Sequence, residues 1–145
     1  MIIGFHSIQS SSGFKKTSSH IFHGEKNENI VVKNGNEETL KDMFQDSQTH
    51  NHKFFCLHTT ISPQKDMSDE QLKNVVKNIC NEFKRNTEDC ILIEHQKERS
   101  DKTTSNKHYH LILPYTNPET GTQLNFRNKN PRGEKISREY EIENN

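Results

Sequence analysis

His108-Tyr109-His110 sets two imidazoles two positions apart, and His95 closes an apolar run upstream of them. Residues i and i+2 of a strand project to the same face, and neutral imidazole is a common metal ligand. If the strand holding His108 and His110 pairs with the strand ending at His95, three ring nitrogens converge on one sheet face. Such a facial set holds a divalent cation and leaves coordination positions open for substrate oxygens. The plain alternative is a group of hydrogen-bonded histidines at a sheet edge, which a bare His-x-His would favour. A small zinc hydrolase fits poorly, because there is no HExxH and no glutamate placed as a general base. His6, His50, His52 and His58 show no joint pattern and read as surface or core histidines. Cys56, Cys80 and Cys90 lie in apolar runs without CxxC spacing and read as buried, reduced thiols.

The elements that must position these residues follow from patterning. Met1–Ile8, Asn29–Lys33, Lys53–Ile61, Asp89–His95 and His108–Leu113 read as strands. Phe14–His23 is a short helix, and Asn36 caps a second helix running to about Asp46, before a polar loop at Gln45–Asn51. Ser68 and Gln71 form a capping box ahead of Leu72, Val75, Val76, Ile79, Cys80 and Phe83, which predicts an amphipathic helix over 68–86. Gln96–Lys107 is a polar excursion between strands, Asn117–Gly121 a turn, and Pro131–Glu143 a charged helix with proline at its start. The expected class is α+β, a largely antiparallel central sheet with helices packed on it. The 145 residues form one domain with a thin core, since 28% are hydrophobic and the mean hydropathy is −1.08. That single domain, 1–145, leaves open a longer protein of which it is the front part. Twenty basic and twenty acidic residues cancel, which excludes a binder that holds nucleic acid by net charge alone. No run is long enough to span a membrane, and Met1–Ser12 lacks a secretory pattern, so the expected location is the cytoplasm.

The run Ile91-Leu-Ile-Glu-His95 followed by His108-Tyr-His-Leu-Ile-Leu-Pro114 resembles the metal-binding motifs of plasmid mobilisation relaxases, members of the HUH endonucleases (His–hydrophobic–His). Phe54–Pro63, Met67–Leu72, Asn117–Arg127, Glu134–Glu141 and Glu25–Ile30 resemble further family segments in the same order, so the likeness covers nearly the whole chain. It implies a relaxase-like fold with a ferredoxin-like core. It also implies a metal-dependent enzyme that nicks one DNA strand at a transfer origin and stays joined to the 5′ phosphate. His95, His108 and His110 match the metal ligands. The implied cofactor is a divalent ion, Mn or Mg foremost, with Zn or Ni as ions a crystal can carry. The implied partners are single-stranded origin DNA and accessory relaxosome proteins.

The departure lies in the nucleophile. The family carries a tyrosine in its first helix, whereas the only tyrosines here are Tyr109, Tyr115 and Tyr140. His20 stands at the matching place, with His23 near it on the same helix face. Imidazole has a lone pair at neutral pH and needs no base, whereas a phenol must first lose a proton near pH 10. The alternatives are Tyr140 as nucleophile, hydrolysis by water, or an inactive module that binds origin DNA or a partner protein without forming the covalent link.

Asp101 is a candidate to accept the second N–H of a metal-bound imidazole; Glu94, beside His95, would point to the opposite face. Basic residues gather in the second half. Lys97, Arg99, Lys102 and Lys107 flank the proposed site, and Arg127, Lys129, Arg132, Lys135 and Arg138 follow. All nine are candidate DNA contacts, although a solvated helix face explains 125–138 equally well.

Overall fold

The computed structural model describes residues 1–11, 13–24, 28–97 and 105–144. Along the chain run β1 (Ile2–Gln9), α1 (Phe14–Phe22), β2 (Glu28–Asn34), α2 (Glu37–Thr49), β3 (Phe54–Ser62), α3 (Asp69–Glu82), β4 (Ile91–Lys97), β5 (Lys107–Pro114) and α4 (Lys129–Asn144). The five strands form one sheet in the order β1-β3-β5-β4-β2, with every neighbouring pair antiparallel. The expected α+β class and antiparallel sheet are therefore present. Among the described residues, no helix is long and apolar enough to cross a membrane.

Strand alternation gives each face of the sheet its own core. Leu57, Ile61, Tyr109, Leu111 and Leu113 meet Leu72, Val75, Val76 and Ile79 of α3 and Ile136 of α4 on one face. On the other, Cys56, Ile91, Ile93 and Ile112 meet Ile21 of α1 and Leu40 and Met43 of α2. The central strands are thus apolar on both sides, which is why Ile91-Leu-Ile and Leu111-Ile-Leu read as continuous apolar runs. The β1–β3 register slips after Ile8, which pairs with Cys56 while Gln9 pairs with Phe54. That irregularity lets Phe55 join Cys56 in the core on the α1/α2 face.

Both predicted caps are formed. Asn36 Oδ1 accepts from the Thr39 amide at 3.0 Å, and Ser68 Oγ accepts from the Gln71 amide at 3.1 Å, each with the reciprocal bond. Several boundaries differ from the sequence expectation, among them the start of α4, at Lys129, which puts Pro131 inside the first turn and not at the helix start. Helix α2 continues to Thr49, because Ser47 turns its hydroxyl inward to the Phe44 carbonyl and to Ser10 Oγ instead of ending the helix. Helix α3 stops at Glu82. Lys84 takes a left-handed conformation (φ 56°), and the Arg85 amide returns to the Cys80 carbonyl at 2.9 Å. Strand β4 runs past His95 to Lys97, so His95 lies within the sheet and not at its rim.

Candidate metal centre and the cleft beside it

β4 and β5 are the two strands that carry the three histidines, and they are adjacent. His95 is the Cα partner of His108, and Ile93 is the partner of His110. With the period-two alternation, all three imidazoles fall on the face covered by α1 and α2. Their ring centroids lie 4.2 Å (His95–His110), 5.0 Å (His108–His110) and 5.2 Å (His95–His108) apart. One nitrogen from each lies within 4.8 Å of the others.

Two of the rings are oriented from behind. His95 Nε2 donates to the Ile21 carbonyl of α1 at 3.0 Å, which puts its proton on Nε2 and its lone pair on Nδ1. His110 Nδ1 lies 2.6 Å from His58 Nε2. His110 Nε2 is buried with no hydrogen-bond partner among the described residues. A buried ring nitrogen left so is costly unless something occupies the position it faces. The donor set, three neutral nitrogens and no thiolate, suits a borderline divalent ion. Burial, with the imidazoles of His58, His95, His108 and His20 around it, holds His110 down to about 2. Burial first, and then His20, His6 and His95, hold His58 down to about 4. Both rings are neutral at pH 7 and present lone pairs.

His20 faces this group from α1. Its ring centroid is 5.7 Å from His110, 6.2 Å from His95 and 6.3 Å from His58, and the side chain is exposed. An open cleft of about 380 Å³ adjoins it, lined by His6, Gln9, Lys16, Thr17, His20 and His58. Lys16, Thr17 and His20 share one side of α1, as their spacing requires. His23 turns outward instead and meets Glu37 at 3.1 Å.

The remaining sequence candidates divide. Glu94 does lie on the opposite face, where it accepts from Gln96 Nε2 at 2.7 Å and approaches Lys33 Nζ at 3.9 Å. Asp101, Arg99 and Lys102 lie outside the described residues. Lys97, two residues beyond His95 at the end of β4, falls on the histidine face, whereas Lys107, one residue before His108 and paired with Gln96, falls on the opposite face with Tyr109. Arg127, Lys129, Arg132, Lys135 and Arg138 belong to α4 and its approach, on the face away from the histidines. Arg132 is occupied there: it binds Glu82 at 2.9 Å and the carbonyls of Asn125 and Arg127 at 2.8 Å, and lies over the Phe83 ring. All three tyrosines are also on that far side. Tyr109 and Tyr115 are buried in the α3/α4 core and Tyr140 packs against it.

His58 is the correction to the sequence expectation. It reads there as one histidine without a pattern, yet β3 lies beside β5 and brings it into hydrogen-bonding contact with His110. The alternation of Phe54–Ser62 gives its face; only the strand order gives its neighbour. His6 is its Cα partner on β1. His50 and His52 do stand apart, stacked on each other at 5.6 Å, with His52 Nδ1 on Thr116 Oγ1 at 2.7 Å.

An antiparallel sheet whose two central strands bring three histidines to one face, under a short helix, is the architecture of a relaxase-type nuclease domain. The chain belongs to the relaxase family, MobA/VirD2-like, nuclease domain, whose sequence model matches residues 15–145. The conjugative relaxase TrwC in complex with oriT DNA is similar in structure. Its metal-bound form gives a TM-score of 0.54 at 9% identity, covering 96% of this chain and 66% of that one. Its metal-free form gives 0.54 at 8% identity with the same coverages. A structure described as the molecular basis of vancomycin resistance transfer in Staphylococcus aureus gives 0.51 at 10% identity, covering 97% of this chain and 88% of that one. The chain thus spans just under two thirds of the TrwC structures, and at these identities the likeness is one of fold. A search of curated protein sequences finds no match.

Proposed function

We propose that this domain nicks one strand of DNA at a transfer origin by nucleophilic attack of His20 on the scissile phosphorus. The observation that carries the reading is positional. His20 is the exposed imidazole facing His95 and His110 from across the cleft, whereas every tyrosine lies on the other side of the sheet. His95, His108 and His110 would hold a divalent ion, Mn²⁺ or Mg²⁺. When bound, that ion supplies positive charge against the phosphate oxygens as negative charge builds on them.

The chain's own residues do the rest. The imidazole lone pair of His20 forms an N–P bond while the bond from phosphorus to the 3′ oxygen breaks. The leaving oxygen takes a proton from solvent and becomes a free 3′ hydroxyl, the second ring nitrogen of His20 gives its proton up to solvent, and the 5′ phosphate remains on His20 as a phosphoramidate. Attack of a 3′ hydroxyl on that phosphorus reverses the step and rejoins the strand. Lys16, one turn before His20 on the cleft side of α1, supplies a cation for a neighbouring phosphate, and Lys97 does so at the end of β4. Single-stranded origin DNA is the substrate that the family resemblance implies.

The test uses a labelled single-stranded oligonucleotide carrying the cognate origin, incubated with Mn²⁺ or Mg²⁺. A covalent adduct that is labile in acid, lost in His20→Ala and kept in Tyr140→Phe is expected. An adduct of equal yield in His20→Ala overturns His20. Tight binding without nicking or adduct in the presence of either metal favours a module that binds the origin without cutting.

A further inference from the structure

We propose that His58 is a positioning residue that fixes which nitrogen of His110 carries the proton, and thereby whether His110 can bind an ion. The inference rests on reading His95, His108 and His110 as a ligand set. His58 Nε2 and His110 Nδ1 lie 2.6 Å apart, with rings 4.8 Å between centroids and 38° between planes. At that distance one nitrogen must donate and the other accept, since two facing lone pairs would repel.

Only two arrangements of neutral rings satisfy this. If His58 donates from Nε2, His110 accepts at Nδ1 and keeps its own proton on Nε2, the buried nitrogen that otherwise has no hydrogen-bond partner among the described residues. That tautomer has no lone pair to offer an ion. If His110 donates from Nδ1, its Nε2 lone pair is free for the ion, and His58 must be the acceptor with its proton on Nδ1. Ion binding therefore selects one tautomer in both rings. The acceptor comes from β3, which pairs with β5 along the register Cys56–Pro114 through Ile61–Tyr109 and so cannot swing away without breaking the sheet. A backbone carbonyl does the same for His95, but a carbonyl can only accept. His58 can do either, so the site can rest in a closed tautomer and be opened by the ion.

The experiment measures Mn²⁺ and Co²⁺ affinity of the whole chain by calorimetry and by the visible spectrum of Co²⁺, with no DNA present. His58→Leu removes the acceptor, and its dissociation constant is expected to rise about 10- to 100-fold. His58→Gln restores an acceptor oxygen near the Nε2 position and is expected to bind within about threefold of the unaltered chain. The rise in melting temperature that Mn²⁺ produces shrinks in His58→Leu and is kept in His58→Gln; a merely structural role would lower the metal-free value and leave that rise unchanged. Equal affinity in His58→Leu and the unaltered chain, or equal weakening in both variants, overturns the inference and leaves the ligand set standing. Failure of the unaltered chain to bind either ion overturns both.

A second measurement needs no leucine variant. In the Zn²⁺-loaded chain labelled with ¹⁵N-histidine, His58 Nε2 is expected at the shift of an unprotonated acceptor nitrogen, assigned by its loss in His58→Gln. A proton on His58 Nε2 in that complex overturns the inference.

Discussion

Arg85→Met is a perturbation whose size follows from the hydrogen bonds around one side chain. Arg85 is 8% exposed. Its Nε donates to the Pro114 carbonyl at 2.8 Å, one terminal nitrogen donates to the Tyr115 carbonyl at 2.8 Å and to that of Thr122 at 3.3 Å, and the other reaches Lys84. The guanidinium thus fastens the end of β5 to the turn that follows, and burial lowers its pKa from the usual value. Methionine keeps much of the stem volume and removes every donor. Each short charge-assisted bond is worth about 1.5–3 kcal/mol, so two give about 3–6 kcal/mol; returning a guanidinium to water in the reference state offsets part of that. A net loss of about 3 kcal/mol is expected. With an unfolding entropy of about 2 cal/mol/K per residue, a chain of this length melts roughly 10 °C lower. Thermal unfolding followed by circular dichroism reads the shift, and urea unfolding should show a lower midpoint with an unchanged slope. Because the histidines occupy the opposite end of β5, Mn²⁺ affinity below the transition should stay within about twofold. A drop of less than about 3 °C would refute the claim that these carbonyls depend on Arg85. Loss of metal affinity in the folded variant would refute the separation of anchor from site.

Gly133→Ala sets two effects against each other: alanine gains about 1 kcal/mol in helix propensity, but its methyl would collide with the Phe5 ring, which is held edge-on by Phe83. A net loss of about 1–2 kcal/mol is expected in urea unfolding, and a net gain would show that α4 can lift from β1 at little cost. The metal-free chain should lose stability as pH falls from about 6.5 towards 4. The unfolded histidines take up protons near 6.5 while His58 and His110 hold theirs off to about 4 and about 2, so the unfolded state binds more protons across that window. His110 alone accounts for about 2 kcal/mol by pH 5, and a urea midpoint unchanged between pH 7 and pH 5 would contradict it. Cys56, Cys80 and Cys90 are 0–1% exposed, so a thiol reagent such as Ellman's should titrate no thiol in the native chain and three in denaturant. One fast-reacting native thiol would contradict that burial.

The parts of this fold legible in the sequence are those set by local physics. Helix α3 is marked by the Ser68–Gln71 box and by apolar residues at helical spacing, and the box forms as expected. The three histidines are legible because strand alternation fixes faces and one short excursion makes β4 and β5 neighbours. What stayed hidden depends on contacts far apart in the chain. Strand β3 sits between β1 and β5, an order no local pattern dictates, and with it goes the contact between His58 and His110. The end of α3 is not legible because Lys84, not glycine, takes the left-handed position. Helix α2 ran on because Ser47 finds its partners in Phe44 and in Ser10 of a distant loop. His20 stood out only through the family resemblance, since nothing within Phe14–Phe22 distinguishes it from a surface histidine.

The bond from His95 to the carbonyl of Ile21 joins elements of unequal strength. Strands β4 and β5 have a paired strand on both sides, whereas α1 buries only Thr17 and Ile21 of its nine residues and starts without a side-chain cap. Amide exchange in α1 should therefore be faster than in β5, through openings that leave the sheet intact. Each such opening withdraws His20 and, in the same motion, releases the ring of His95. On warming, the chain would lose its chemistry several degrees before its sheet, and regain it on cooling. A ligand that spans the cleft and grips α1 would close that gap, so bound DNA should slow exchange most at the amides of residues 16–22 and leave β5 unchanged.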